Sequence, residues 1–390
     1  MVVLTGARQV GKSTLIQHTD PTAGWRYRSL DDIDVLAQAE HEPEALWAGA
    51  KNVVIDEAQR APELFLSVKR AVDQDRTRRF VLSGSANFLL LHRVSESLAG
   101  RAVYLVLRPL TLGEHQGQKP SDLLRDLLSG KLPSEREFPR GPDPLSLTLD
   151  GFMPALLELH SREAILEWWR GYVSTYLERD LRDLSQVASL SDFRRVMELI
   201  ALRTGQLLNQ TETARDARVS QPTVNRYLNL LEASFLLHRI PAFAVNRTKR
   251  LIKSPKMYWD DPALAAFLMG HYTLESARNG REAGALFENL VLLHLQVLAD
   301  LLSPAARVHH WRTVSGAEVD FVVEWGRSLT AFEVKLTNTP RYGDIETLRL
   351  FLNEYPECRA GALVYSGNEI VRLDEKIIAI PWPLLAGGAK

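Results

Sequence analysis

Leu4-Thr5-Gly6-Ala7-Arg8-Gln9-Val10-Gly11-Lys12-Ser13-Thr14 decides the fold. Gly6 to Ser13 fits G-x-x-x-x-G-K-[ST] at every fixed position, after an apolar strand (Val2 to Thr5) and before a helical stretch beginning at Ser13. Glycines let the backbone curl so that successive N–H groups face phosphate oxygens, and a helix N-terminus adds its dipole. The spacing predicts an ATP and Mg2+ site built from Gly6, Ala7, Arg8, Gln9, Val10, Gly11, Lys12, Ser13 and Thr14. Lys12 reaches the β- and γ-phosphates, and the Ser13 hydroxyl ligates magnesium.

A second apolar run, Asn52-Val53-Val54-Ile55, ends in Asp56-Glu57, as a buried parallel strand does at its C-terminal end beside the loop. Asp56 is expected to hold the metal through water, and Glu57 to orient or deprotonate the attacking water. A third strand, Arg79 to Leu82, offers Ser83 or Ser85 as a sensor of the γ-phosphate, or a plain solvated turn. Arg101 precedes a further apolar strand, Val103 to Leu107. It reads as a charge stabiliser acting in cis or from a neighbouring subunit, or as a surface arginine.

Working outward, 390 residues that are 45% hydrophobic suffice for two or three cored domains. A formal net charge of -1 gives no bulk attraction for nucleic acid or anionic lipid, so such binding needs a local basic patch. The single cysteine, Cys358, excludes a disulfide framework and a thiolate metal cluster. No signal peptide opens the chain and no long apolar run spans a bilayer, which points to a cytoplasmic protein without a membrane. A strand beginning at residue 2 is early for such a domain: either the fold dispenses with a preceding segment or the start lies upstream.

Residues 117–147, rich in Pro, Gly and Ser, read as a loop or linker. Trp168 to Arg182 has helical periodicity and is expected to form a lid packed on the sheet. From Phe193 to about 257 the pattern is that of a winged helix. Ser220 caps the second helix of a helix-turn-helix, and Asn225 and Arg226 lie on its exposed face. A strand pair then carries Arg247, Lys249, Arg250, Lys253 and Lys256. That basic arm either contacts the phosphate backbone of DNA or forms the solvated face of a packing module.

The C-terminal part holds a second constellation. Glu288 sits on an apolar helix stripe, where a carboxylate is costly unless paired or metal-bound. Asp320 lies on one strand, and Glu333 and Lys335 share one face of the next. Glu288, Asp320 and Glu333 can hold a divalent ion, while Lys335 lowers the pKa of its water or supports developing charge. Asp320, Glu333 and Lys335 match the PD-(D/E)XK nuclease layout, either as a working nuclease or as a nuclease-like fold without cleavage.

Taken together, the chain resembles prokaryotic AAA-type ATPases with a C-terminal nuclease-like domain of unknown function. The likeness rests on the opening loop, Val54-Ile55-Asp56-Glu57-Ala58-Gln59, Leu82-Ser83-Gly84-Ser85 and Ser97-Leu98-Ala99-Gly100-Arg101. Lys253-Ser254-Pro255-Lys256, Leu286-Phe287-Glu288-Asn289-Leu290, Ser315 to Val322 and Glu333-Val334-Lys335 extend it. It departs at the missing segment before the loop and at Asp261-Pro262-Ala263. The resemblance implies an α/β architecture with a P-loop NTPase sheet over residues 1–116 and a linker with helical lid over 117–190. A winged helix over 191–260 and a restriction-endonuclease-like domain over 261–390 complete it. Expected partners are DNA, through the winged helix and basic hairpin, and a protein partner or second copy of the chain.

Overall fold

Five parallel strands form the first sheet, in the order β2-β3-β4-β1-β5. They are β1 (Val2–Gly6), β2 (Arg26–Ser29), β3 (Asn52–Asp56), β4 (Arg79–Ser83) and β5 (Val103–Leu107). The structure is a computed structural model that describes residues 1–84, 100–175, 189–244 and 254–387. Parallel neighbours need crossover connections. Helices α1 (Lys12–His18), α2 (Ile33–His41) and α3 (Leu64–Gln74) supply them. Val3, Val53, Ile55, Phe80 and Leu82 pack on one face with Phe65 and Val68 of α3. Leu4, Val54 and Val81 pack on the other with Ile16 of α1. Burial on both faces is why these strands read as unbroken apolar runs rather than alternating ones. This mixed α/β arrangement fits a P-loop NTPase-like fold.

The chain divides into two compact units, Met1–Arg108 with Asn229–Leu236, and Pro109–Leu228 with Leu237–Lys390. In the second unit the stretch expected as a loop or linker carries helix α4 (Leu123–Ser129), whose four leucines join a core shared with Phe321, Phe332 and Val364. The Pro, Gly and Ser around it had masked a leucine pattern that only packing makes decisive. After the short strand β6 (Arg136–Glu137) come α5 (Pro144–Asp150) and α6 (Arg162–Gly171). Trp169 of α6 is buried, and Trp168 stacks on Tyr172 at 5.2 Å. Within its own unit α6 packs on the helix Pro262–Met269. Tyr176 to Arg182 of the expected lid lie outside the described residues.

Three helices follow, α7 (Leu190–Leu202), α8 (Gln210–Ala217) and α9 (Gln221–Ala233), then the antiparallel pair β7 (Leu237–Ile240) and β8 (Lys256–Trp259). An isolated antiparallel bridge joins Leu207 to Lys256 on the other edge of β8. Ser189 and Asn209 cap α7 and α8, and Ser220 Oγ accepts from Thr223 N at 3.3 Å at the start of α9. Phe193 meets Tyr227 edge-on at 5.1 Å, while Asn225 and Arg226 are exposed. Arg247, Lys249, Arg250 and Lys253 lie outside the described residues. Lys256 corrects the basic-arm reading: it is 2% exposed and its ammonium points inward. All four residues of β8 are buried, so a charge there has to find partners inside the protein.

The last part is a seven-stranded mixed sheet, ordered β6-β13-β14-β12-β11-β10-β9. Helices α10 (Pro262–Met269) and α11 (Ala283–Asp300) precede β9 (Arg307–Arg312), β10 (Glu318–Trp325) and β11 (Ser328–Lys335). Then come α12 (Glu346–Glu354), β12 (Cys358–Tyr365), β13 (Glu369–Arg372) and β14 (Ile377–Pro381). α4 and α11 cover the face of Phe321, Phe332 and Val364, and α12 covers the face of Val322, Ala331 and Leu363. Among the described residues α11 alone is long and apolar enough to cross a membrane, contrary to the expectation of no such run; 67% of it is buried inside the protein. At Asp261-Pro262-Ala263 the aspartate caps α10 and also accepts from Phe152 N at 2.8 Å.

Candidate functional site

At the end of β1 the backbone takes left-handed turns at Gln9 (φ 63°) and Gly11 (φ 94°) after Gly6 (φ 146°). A Cβ at Gly6 meets the Leu107 carbonyl oxygen at 2.3 Å, so only glycine fits. α1 opens at Gly11 with no side-chain cap and no acidic residue in its first turn. Its first N–H groups are therefore left for an anion. Lys12 is 6% exposed, and its ammonium donates to Ala7 O at 2.8 Å and Gly6 O at 3.2 Å. Burial lowers its pKa to about 8, against the opposing pull of Glu57 and Asp56. Arg8, Gln9 and Thr14 are exposed, Ala7 and Val10 are buried, and Ser13 is half-buried.

Asp56 closes β3 with 2% exposure. Its Oδ2 accepts from Tyr27 Oη at 2.6 Å, and its Oδ1 accepts from Glu57 N at 3.0 Å and from Ser83 Oγ. Strand order puts β4 between β1 and β3, so the Asp56 strand is not the loop's direct neighbour. Ser83, fully buried, stands on that intervening strand, while Ser85 lies outside the described residues. Glu57 takes a left-handed φ of 53°, and burial raises its pKa, with Gln59 working against the rise and Asp56 adding to it. An alcohol at Ser13 and a buried carboxylate at Asp56 are hard oxygen donors of the kind magnesium takes, and the site fits that ion.

Arg101 does not belong here in its own chain. Val2 pairs with Val103 and Gly6 with Leu107, which sets Arg101 beyond the end of the sheet opposite the loop. There it pairs with Asp73 at 2.7 Å, and its carbonyl accepts from the Met1 amino group at 3.2 Å. Tyr27 is the residue the sequence reading missed. Its signal is positional: β2 and β3 pair Ser29 with Asp56, so Tyr27 lies two residues back on the same side, visible only once the strand order is known.

A second polar cluster lies inside the C-terminal sheet. β10 and β11 pair Phe321 with Phe332, which sets Asp320 opposite Glu333. Between Val319 and Val322 the register with β9 shifts, a bulge that breaks the alternation at Asp320. Asp320 Oδ2 accepts from Val334 N at 2.9 Å. Lys256 Nζ lies 3.0 Å from Glu288 Oε1, 2.5 Å from Glu318 Oε1 and 3.4 Å from Asp320 Oδ1. Tyr258 Oη also donates to Glu288 Oε1, and Glu318 reaches Arg312 at 3.1 Å. Glu333 pairs instead with Lys335 at 2.7 Å and meets Thr347 Oγ1 at 3.4 Å. Burial, then the Asp320 charge, pushes the carboxyls of Glu288 and Glu333 up. Burial opposes the Lys256 charge, but Glu288, Asp320 and Glu318 together hold it well above the ordinary lysine range.

That geometry corrects the expected metal set of Glu288, Asp320 and Glu333. Two of the three share an ammonium and the third is held by Lys335. Among the described residues no three His, Cys, Asp or Glu side chains are grouped to hold a metal. With Lys256 in place, the residues do not fit a divalent ion.

Residues 1–116 match a family model described as an AAA domain. Residues 145–275 and 283–385 match two models, each described as a domain of unknown function, DUF8612 and DUF4143. Over 384 residues the chain is 32% identical to the uncharacterized protein Rv2008c of Mycobacterium tuberculosis and equally to the uncharacterized protein Mb2031c of Mycobacterium bovis. Each alignment covers 98% of this chain and 80% of the relative.

Proposed function

Because this chain belongs to the family of the mycobacterial proteins Rv2008c and Mb2031c, and its AAA domain is that of an AAA-type ATPase family, we propose that it binds ATP with magnesium and hydrolyses it. The observation that carries the reading is Lys12: a buried ammonium resting on the carbonyls of Ala7 and Gly6, at an uncapped helix start. A cation kept out of water, hydrogen-bonded to main-chain oxygens with the carboxylates of Glu57 and Asp56 near it, is a socket for phosphate. Ser13 and Asp56 hold the magnesium, which neutralises charge on the phosphates. Glu57, its pKa raised by burial, takes up the proton of the attacking water. Ser83 ties Asp56 to the strand beside the loop, where a γ-phosphate is sensed.

Turnover is coupled to a DNA-interacting winged helix in residues 191–260, whose exposed Asn225 and Arg226 offer side chains to the duplex, and to a nuclease-like domain beyond it. The ammonium of Lys256 among Glu288, Glu318 and Asp320 favours a second reading of that last domain. In it the nuclease-like fold does not cleave, and ATP switches a regulatory or scaffolding protein. Calorimetry with Mg·ATP and a phosphate-release assay test the core proposal on wild type, Lys12→Ala and Glu57→Gln. Lys12→Ala is expected to lose binding, and Glu57→Gln to bind while turning over about 100-fold more slowly. Equal turnover in all three proteins sinks the proposal. Plasmid nicking with manganese, absent from an Asp320→Asn control, decides between the two readings of the C-terminal domain.

A further inference from the structure

Lys256 and Tyr258 stand two apart on β8 and therefore point the same way, and both reach Glu288 of α11. The backbone of β8 is fixed on both edges, to Ile240 through β7 and to Gly205 and Leu208 through hydrogen bonds from Gly205 N to Met257 O and from Leu208 N to Pro255 O, each 2.8 Å. Gly205 (φ 76°) brings main chain so close that a Cβ there lies 3.3 Å from Glu288 Oε2. The ammonium is thus delivered by strand geometry rather than by the reach of a loose surface lysine. Its three carboxylates come from two other elements, Glu288 from α11 and Glu318 and Asp320 from β10.

Just behind it His310, 2% exposed, donates through Nε2 to Ser254 O at 3.2 Å and leaves Nδ1 without a hydrogen-bond partner. Imidazole nitrogen and carboxylate oxygen are ligand types that divalent ions take. Yet with the ammonium among them, no three such side chains are grouped to hold an ion among the described residues. A divalent ion takes its oxygens at roughly 2.0–2.6 Å. An ion bridging Glu288 and Asp320 competes for the same oxygens as Nζ, which is 3.0 Å from one and 3.4 Å from the other. Two cations do not share that space in a low-dielectric interior.

We infer that Lys256 is the resident cation of the Glu288, Glu318 and Asp320 cluster, an internal ammonium that excludes a divalent ion and latches β8 onto the C-terminal sheet. The latch is independent of nucleotide binding. Removing one partner of such a buried set leaves uncompensated charge. The cluster without its lysine therefore has to take up protons or another cation, and Mn2+ at saturating concentration competes for that place.

The test uses the full-length chain in a Lys12→Ala background without nucleotide, so that the nucleotide site does not contribute, and Mn2+ alone as the probe. Electron paramagnetic resonance counts bound Mn2+ per chain. Lys12→Ala is expected to hold none at this cluster. Adding Lys256→Met, close in length and uncharged, is expected to add one Mn2+ per chain, lost again on further change of Asp320→Asn. Two results overturn the inference: Mn2+ in the parent that Asp320→Asn removes, or no added Mn2+ in a folded Lys256→Met protein.

Should Lys256→Met fail to fold, amine labelling of the wild-type chain followed by mass spectrometry reads the same question. Lys335, 41% exposed at its side chain, is expected to label while Lys256 stays protected with and without Mn2+. Labelling of Lys256 induced by Mn2+ shows the ion displacing the ammonium from an open site, and refutes the latch.

Discussion

Tyr27 Oη donates a 2.6 Å hydrogen bond to Oδ2 of Asp56, from one parallel strand to the next. The carboxylate expected to manage the nucleotide's cation is thus held from both sides, by Tyr27 on β2 and by Ser83 on β4. Burial, then the Asp56 bond, raises the Tyr27 pKa to about 12, so the phenol stays a donor through the working range. Tyr27→Phe is expected to lower stability by about 1.5–3 kcal/mol, the usual worth of a hydrogen bond to a charged group, and to weaken Mg·ATP binding. Chemical denaturation and calorimetry check the two effects. An unchanged protein means the bond carries no energy.

Lys12 makes nucleotide binding depend on pH in a definite direction. Burial depresses it to about 8 from an ordinary 10.5, so the free protein sheds this proton early. A bound triphosphate favours the charged form and raises the value again. Binding at about pH 8.5 should therefore take up protons, and affinity should decline as pH climbs past the value of the free protein. Titrations in two buffers of different ionisation heat reveal the uptake, which Lys12→Ala should abolish.

Arg101 should prove dispensable in the isolated chain. It lies beyond the strand ends opposite the loop and pairs with Asp73 in solvent. Arg101→Ala is expected to leave ATP affinity and turnover of dilute protein unchanged. A loss that appears only as protein concentration rises would identify this arginine as a residue supplied to a second copy.

His294 predicts an acid limit for the second unit. Nδ1 faces Leu290 O at 2.9 Å and Nε2 accepts from Leu112 N at 3.1 Å, an arrangement that only the neutral ring satisfies. Burial lowers its pKa to about 4 from 6.5. A depressed histidine contributes stability that is complete above 6.5 and is lost as pH falls through about 4, worth about 3 kcal/mol. Asp261, which burial raises to about 6, works in the opposite sense and gives up its share as pH rises through that value. The measurable quantity is therefore the difference between wild type and His294→Leu. The variant should be less stable at neutral pH, with the gap closing toward pH 4.

The nucleotide loop was legible because its chemistry is local: Gly6, Gly11, Lys12 and Ser13 act within one turn of backbone, and spacing alone specifies them. The strands Val53 to Asp56 and Phe80 to Ser83 were legible as apolar runs, since both their faces are covered. Long-range pairing was not. Tyr27 at Asp56 and Lys256 at Glu288 join residues 29 and 32 positions apart, and no periodicity links them. Lys256 misled because charge density along the chain says nothing of direction: a strand buried on both faces turned a residue of the basic run inward. Arg101 was open between a charge stabiliser and a surface arginine, and strand pairing with the Asp73 contact favours the surface reading within its own chain. Of Glu288, Asp320, Glu333 and Lys335, the first two share Lys256 from another part of the chain, a partner that spacing within the C-terminal stretch does not reveal.

The fit of Gly6 under the Leu107 carbonyl has a mechanical side. Leu107 ends β5, and the first unit's opening stretch closes one residue later at Arg108. Any lift of the loop's first turn as phosphates arrive or depart has to push on that carbonyl, since no slack separates the two. Gly6 and Leu107 are also ladder partners, so strand pairing joins the loop's first turn to the end of β5 as well. A bulkier residue at position 6 should jam that joint even in a variant whose remaining loop atoms still meet the nucleotide.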